Sequence, residues 1–122
     1  MIFEVNDLDA QLPDKGTNIN DCAKSCERLE EQLSHLNNQS IYYSFHLGAW
    51  LSAAKKICKQ KRFKFNEWAI RIIKRKRTQI FQYIAFYEKF KPHADTIFKS
   101  TLPFSFFVKN KLTILKHLEG EL

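Results

Sequence analysis

The chain has 122 residues, 44% of them hydrophobic, and a formal net charge of +7. Its length fits one domain able to bury its own core, and its apolar content argues against disorder. Three Cys with neither a secretory leader nor a scaffold spacing argue against a disulfide-built secreted fold, and the longest uncharged stretch, 39–54, is too short and polar to span a bilayer. The expectation is a reducing, cytoplasmic protein with no membrane contact. Only three Gly and three Pro interrupt long apolar-periodic runs, which favours an all-α domain of five to six helices.

Residues 1–17 carry Asp7, Asp9, Asp14, Pro13 and Gly16 among scattered apolar residues, and read as an N-terminal arm before a single helical domain over 18–122. Asn18 or Asn20 offers an N-cap, with Asp21 at the positive helix end. Cys22, Cys26, Leu29, Leu33 and Leu36 then line one face, while Lys24, Glu27, Arg28, Glu30 and Glu31 occupy the other. Asn37 and Asn38 end this helix. Ser40 caps a second, from Ile41 to about Lys59, whose broad stripe of Tyr43, Leu47, Trp50, Leu51, Ala54, Ile57 and Cys58 makes it central to the core. Gly48 in its middle costs about 1 kcal/mol against Ala, and marks a place where a neighbouring helix comes close.

From Lys55 the character changes. Residues 55–91 hold 13 of the 20 Lys and Arg side chains and two acids, Glu67 and Glu88, a net of +11. Residues 1–54 hold three cations against eight acids, −5, and residues 92–122 four against three, +1. Charge so polarised speaks of partners rather than of fold. After a basic connection at 60–64, Asn66 is expected to cap a short helix from Glu67 to about Lys74, with Trp68, Ala69, Ile72 and Ile73 inward. A fourth helix starts at Lys76 or Thr78, turns Ile80, Phe81, Ile84, Ala85 and Phe90 inward, and stops at Pro92. A short helix over Ala94–Lys99 follows. The last runs from Pro103 to about Glu119, with Phe107, Val108, Leu112, Leu115 and Leu118 at core spacing.

A short helix, a tight turn and a second helix over about 20–25 residues match a helix-turn-helix unit in size, and 65–90 fits that description. The second helix of such a unit offers its first turns to base edges while flanking cations hold phosphates. Here those turns carry Lys76, Arg77, Thr78, Gln79 and Gln82. Arg suits guanine, Gln suits adenine, and Thr serves a base edge or a phosphate. Lys55, Lys56, Lys59, Lys61, Arg62 and Lys64, with Lys74 and Arg75 in the turn, supply the backbone contacts. The bland alternative is a solvated basic loop beside an N-cap and exposed polar side chains. Tyr42, Tyr83 and Tyr87 are open to either stacking on bases or covering the core edge.

The segment 46–90 also resembles a family of uncharacterised phage and plasmid proteins. The shared pattern runs through Leu47, Gly48, Leu51, Ala54 and Lys55, then Phe65, Trp68, Ile73 and Tyr83, about a third of the chain. The resemblance implies a helical fold with a helix-turn-helix-like element; Lys74 and Lys76 stand where that family usually has Gly and Ser.

Trp50 and Trp68 lie on apolar stripes and read as core anchors. Cys22 and Cys26 share a face without a second ligand pair, so they read as core thiols and no metal or other cofactor is expected. With no nucleophile motif, phosphate loop or carboxylate pair, no enzyme is expected. Two functions remain. One is a small DNA-binding protein, a regulator or accessory factor of a mobile element, with double-stranded DNA as partner and a homodimer as a further option. The other is a non-enzymatic protein-interaction module, such as an inhibitor of host defence docking on an acidic or nucleic-acid-binding partner.

Overall fold

A computed structural model describes residues 11–37 and 39–120, and the described residues hold helices and no strands. Most of the expected N-terminal arm lies outside the described residues. Helix α1 is Ile19–His35, opened by a reciprocal cap in which the Asp21 N–H donates to the Asn18 side chain and the Asn18 N–H to the Asp21 carboxylate. Helix α2 is Ile41–Lys61, capped by the Ser40 hydroxyl, and runs two residues past its expected end before Arg62 turns into the left-handed region. Helix α3 is Phe65–Ile73, and α4 is Arg77–Phe90. A 3-10 turn at Lys91–His93 leads to α5, Ala94–Phe98; α6, Phe104–Lys109, and α7, Lys111–Leu118, follow.

α2 is the spine. Nearly every side chain from Ile41 to Ala54 is buried, on all sides of the helix, because α1 covers one flank and α4 another. Cys22, Cys26, Leu29 and Leu33 seat α1 on it, as their spacing predicts. Against α4 the contact is backbone to backbone. A methyl group at Gly48 would strike the Tyr83 carbonyl oxygen and lie 2.8 Å from its carbon and 2.9 Å from Tyr87 Cβ. The expected close approach is there, and α4 is the helix that makes it.

Four expectations are corrected. Asn66 does not cap α3: burial of Phe65 draws the helix start forward, Lys64 takes the cap position, and the Trp68 N–H donates to its carbonyl. In α4, Tyr83 and Phe86 join the core while Phe81 and Ala85 are only half buried, because α4 packs on α2 along one side and on α6 along another. The last helix is broken at Asn110, whose side-chain amide and backbone N–H both donate to the Phe106 carbonyl at 3.0 Å. Beyond that break α7 buries no residue fully, and Leu112, expected in the core, is 67% exposed.

An aromatic layer joins α4 to α6. Tyr83 stacks on Phe104 at 5.0 Å, and Phe86 meets Phe90, Phe104 and Phe107 at 5.1–5.7 Å, pairings that add to the area these rings bury. His46 is buried among Tyr42, Phe45 and Phe98, its Nδ1 2.9 Å from the Tyr42 carbonyl.

Two predictions follow from this packing. Gly48→Ala should lower stability by about 1–3 kcal/mol, because overpacking against fixed backbone outweighs Ala's better helix propensity; the urea midpoint checks it. Burial holds the His46 imidazole below its ordinary 6.5, against the pull of the Tyr42 carbonyl and helped by the Arg28 charge. The unfolded chain therefore takes up a proton at a pH where the folded one does not. Stability contributed by neutral His46 is full above about pH 7 and falls as pH drops below about 6.5. Urea titrations between about pH 5.5 and 7.5 should show that decline, and His46→Gln should flatten it.

Candidate functional site

The start of α4 concentrates positive charge where a helix is already positive. Lys76 takes its cap position with an extended backbone and no side-chain cap bond, and no acid lies in its first turn. Lys74, Lys76, Arg77, Thr78 and Gln79 are all exposed there. Helix dipoles disfavour cations at this end, and an external anion would relieve that repulsion. The preceding turn is tight: Lys74 caps α3 in the left-handed region at φ 54°, its N–H donating to the Ile70 carbonyl at 2.8 Å.

Tertiary packing adds a cation from α2. The Lys55 ammonium sits 5.1 Å from the centroid of Phe81, and the Arg77 guanidinium 5.9 Å from the same ring. Phe65 approaches that ring edge-on at 6.3 Å and stacks on Trp68 at 6.1 Å. Lys55 and Arg77, 22 positions apart in the chain, thus share one half-buried aromatic, which supports both cations without neutralising either. Phe81 read as an inward core residue in sequence, so its bridging role was missed; the i, i+4 spacing of Arg77 and Phe81 was the available signal.

Other expected site residues go elsewhere. Arg75 is turned inward: its Nε donates to Glu30 Oε1 at 2.6 Å, its guanidinium lies 5.5 Å from the Tyr83 ring, and the two paired side chains are only 10% and 21% exposed. It ties the α3–α4 turn to α1. Lys56 borders a cleft of mixed charge with Lys15, Lys91, Asp14 and Glu88. Lys64 lies 3.9 Å from Glu67, with both side chains well exposed. Lys59, Lys61 and Arg62 are exposed at the end of α2. Gln79 and Gln82 line a cleft of about 470 Å³ between α4 and α6, while Thr78 and Gln82 border an apolar groove of about 270 Å³ with Phe81, Phe107 and Val108. α6 therefore stands beside the helix expected to read bases. Its first turn is left as the accessible part.

Tyr83 is buried; Tyr42 and Tyr87 pack at the core edge, with Lys91 5.5 Å from the Tyr87 ring. Trp50 and Trp68 are buried, and the Trp50 indole N–H donates to the Gln11 carbonyl at 2.8 Å. The three thiols are wholly buried. Burial pushes Cys22 up to about 11, with Asp21 and Cys58 adding to it, and raises Cys26 and Cys58. They are thus poor nucleophiles and poor ligands near neutrality. Among the described residues no group of three or more His, Cys, Asp and Glu side chains converges, and no helix is long and apolar enough to cross a membrane.

Because Arg75 and Glu30 are partly buried, removing either strands the other. Glu30→Gln and Arg75→Met should each lower the urea midpoint, and the double-mutant cycle should give a coupling of about 0.5–3 kcal/mol. No protein-family model, characterised protein or solved structure matches the chain.

Proposed function

We propose that this is a small, non-enzymatic DNA-binding protein, a regulator or accessory factor of a mobile genetic element in keeping with the phage and plasmid resemblance. The observation that carries the reading is the uncapped, acid-free start of α4, with Lys74, Lys76 and Arg77 exposed on it and Lys55 brought alongside through Phe81. Phosphates are the ligand that such a helix end and cation set favour together. Lys59, Lys61 and Arg62, exposed at the end of α2, and Lys64, at the start of α3, are further cations for phosphates. Arg77, at the tip, is best placed to reach a base edge in the major groove, while Thr78, Gln79 and Gln82 border the clefts shared with α6. Arg75 is left out of this set because it holds the turn.

A second reading, a protein-interaction module, draws on the apolar side chains of Phe106 and Leu112, exposed on α6 and α7. Charge reversal separates the two. Lys55→Glu with Lys76→Glu and Arg77→Glu should abolish duplex binding and leave an interface through α6–α7 intact; Arg75 is spared so that the Glu30 pair survives.

Contact with about five phosphates predicts a log–log salt dependence of slope near −4.5. Fluorescence anisotropy with a labelled duplex over about 50–200 mM salt measures it. Absence of duplex binding at the lowest salt sinks the proposal.

A further inference from the structure

Phe63 is exposed where a helix end usually hides an apolar side chain. α2 closes with Arg62 at φ 62° and with the Phe63 N–H donating to the Cys58 carbonyl at 2.8 Å. In that closure the residue after the left-handed one commonly packs back over the last turn. Phe63 is instead 54% exposed. The backbone that carries it is fixed by this bond and by the start of α3 two residues on. Phe63 forms one wall of a cleft of about 340 Å³ whose floor includes Trp68 and Ile19 and whose rim carries Lys64 and Arg71. Clefts of this size fall at the lower end of the range for small ligands, about 300–1,000 Å³. Glu67, the acid lining it, faces Lys64.

We propose that Phe63 is a stacking platform for an unpaired base of a single-stranded nucleic acid, with the neighbouring phosphates held by Arg62, Lys64 and Arg71. An exposed ring between cations meets both demands of such a ligand, a π-face for the base and positive charge for its backbone. α3 links the cleft to the packing beneath the α4 tip: Trp68 stacks on Phe65, whose ring approaches Phe81, the aromatic shared by Lys55 and Arg77. The inference rests on the nucleic-acid reading above and adds an unpaired strand to its ligand.

The test is anisotropy on the whole chain with labelled oligo-dT, its oligo-rU counterpart and a blunt duplex, comparing wild type, Phe63→Ala and Phe63→Tyr. Phe63→Ala should weaken single-strand binding about 5- to 100-fold while leaving the salt slope and duplex binding nearly unchanged, and Phe63→Tyr should restore it. A DNA or RNA preference identifies the source of the strand. The thermal midpoint of Phe63→Ala should stay close to wild type, because the ring is mostly in solvent. Equal losses on duplex and single strand, or no loss on either, overturn the proposal. Competition by poly-glutamate that depends on Phe63 also overturns it, in favour of an acidic protein segment. Wild type that binds duplex but no single strand sinks this inference alone; wild type that binds neither sinks the duplex proposal with it.

Discussion

Where α2 passes α4 the two backbones touch, and much else in the molecule depends on that contact. Gly48 admits the Tyr83 carbonyl to a position that any Cβ would occupy. With the helices this close, Phe45 meets Phe86 and Tyr87 on one side of the crossing, and Ser52 donates to Glu88 beyond it. The same packing places the first turns of α4 where Lys55 can reach over Phe81. A cation carried by the spine and a cation carried by a helix tip become neighbours through dispersion and backbone shape, against their own repulsion. Cations at a helix N-terminus are disfavoured by its dipole, and a bound anion would offset that.

The strong separation of charge along the chain is partly consumed within the fold. Glu30, on the acidic first helix, and Arg75, in the basic turn, neutralise each other at 2.6 Å under partial cover. The pair aims the α3–α4 turn, and in doing so removes one cation from the exposed set. Its neighbours Lys74, Lys76 and Arg77 are exposed. One turn thus divides its charges between holding the structure and facing solvent.

Cohesion is unevenly distributed. Aromatic contacts among Tyr83, Phe86, Phe90, Phe104 and Phe107 bind α6 to α4, whereas α7 hangs beyond the break at Asn110 with only partly covered apolar residues. Regions with few buried contacts open at lower free energy than the core. Among the described α-helices, α7 is therefore the one held least firmly.

Local rules made much of this readable in advance. A cap at Asn18 or Asn20, the Ser40 cap, the apolar faces of α1 and α2, the core tryptophans and thiols, and the tight approach at Gly48 all follow from spacing, steric size and polarity within a few residues. The reading failed where a side chain's fate depends on something distant. Arg75 looks like its neighbours until Glu30, 45 positions away, claims it. Phe81 and Leu112 have core spacing, but α4 must serve two packing surfaces and α7 is cut loose by Asn110. Periodicity and charge order, properties of the chain itself, determined an all-helical protein with one strongly basic segment. Which cations are spent inside, which gather at Phe81, and that Phe63 stands clear were decided by three-dimensional packing, because long flexible side chains take their direction from partners that only the folded chain brings near.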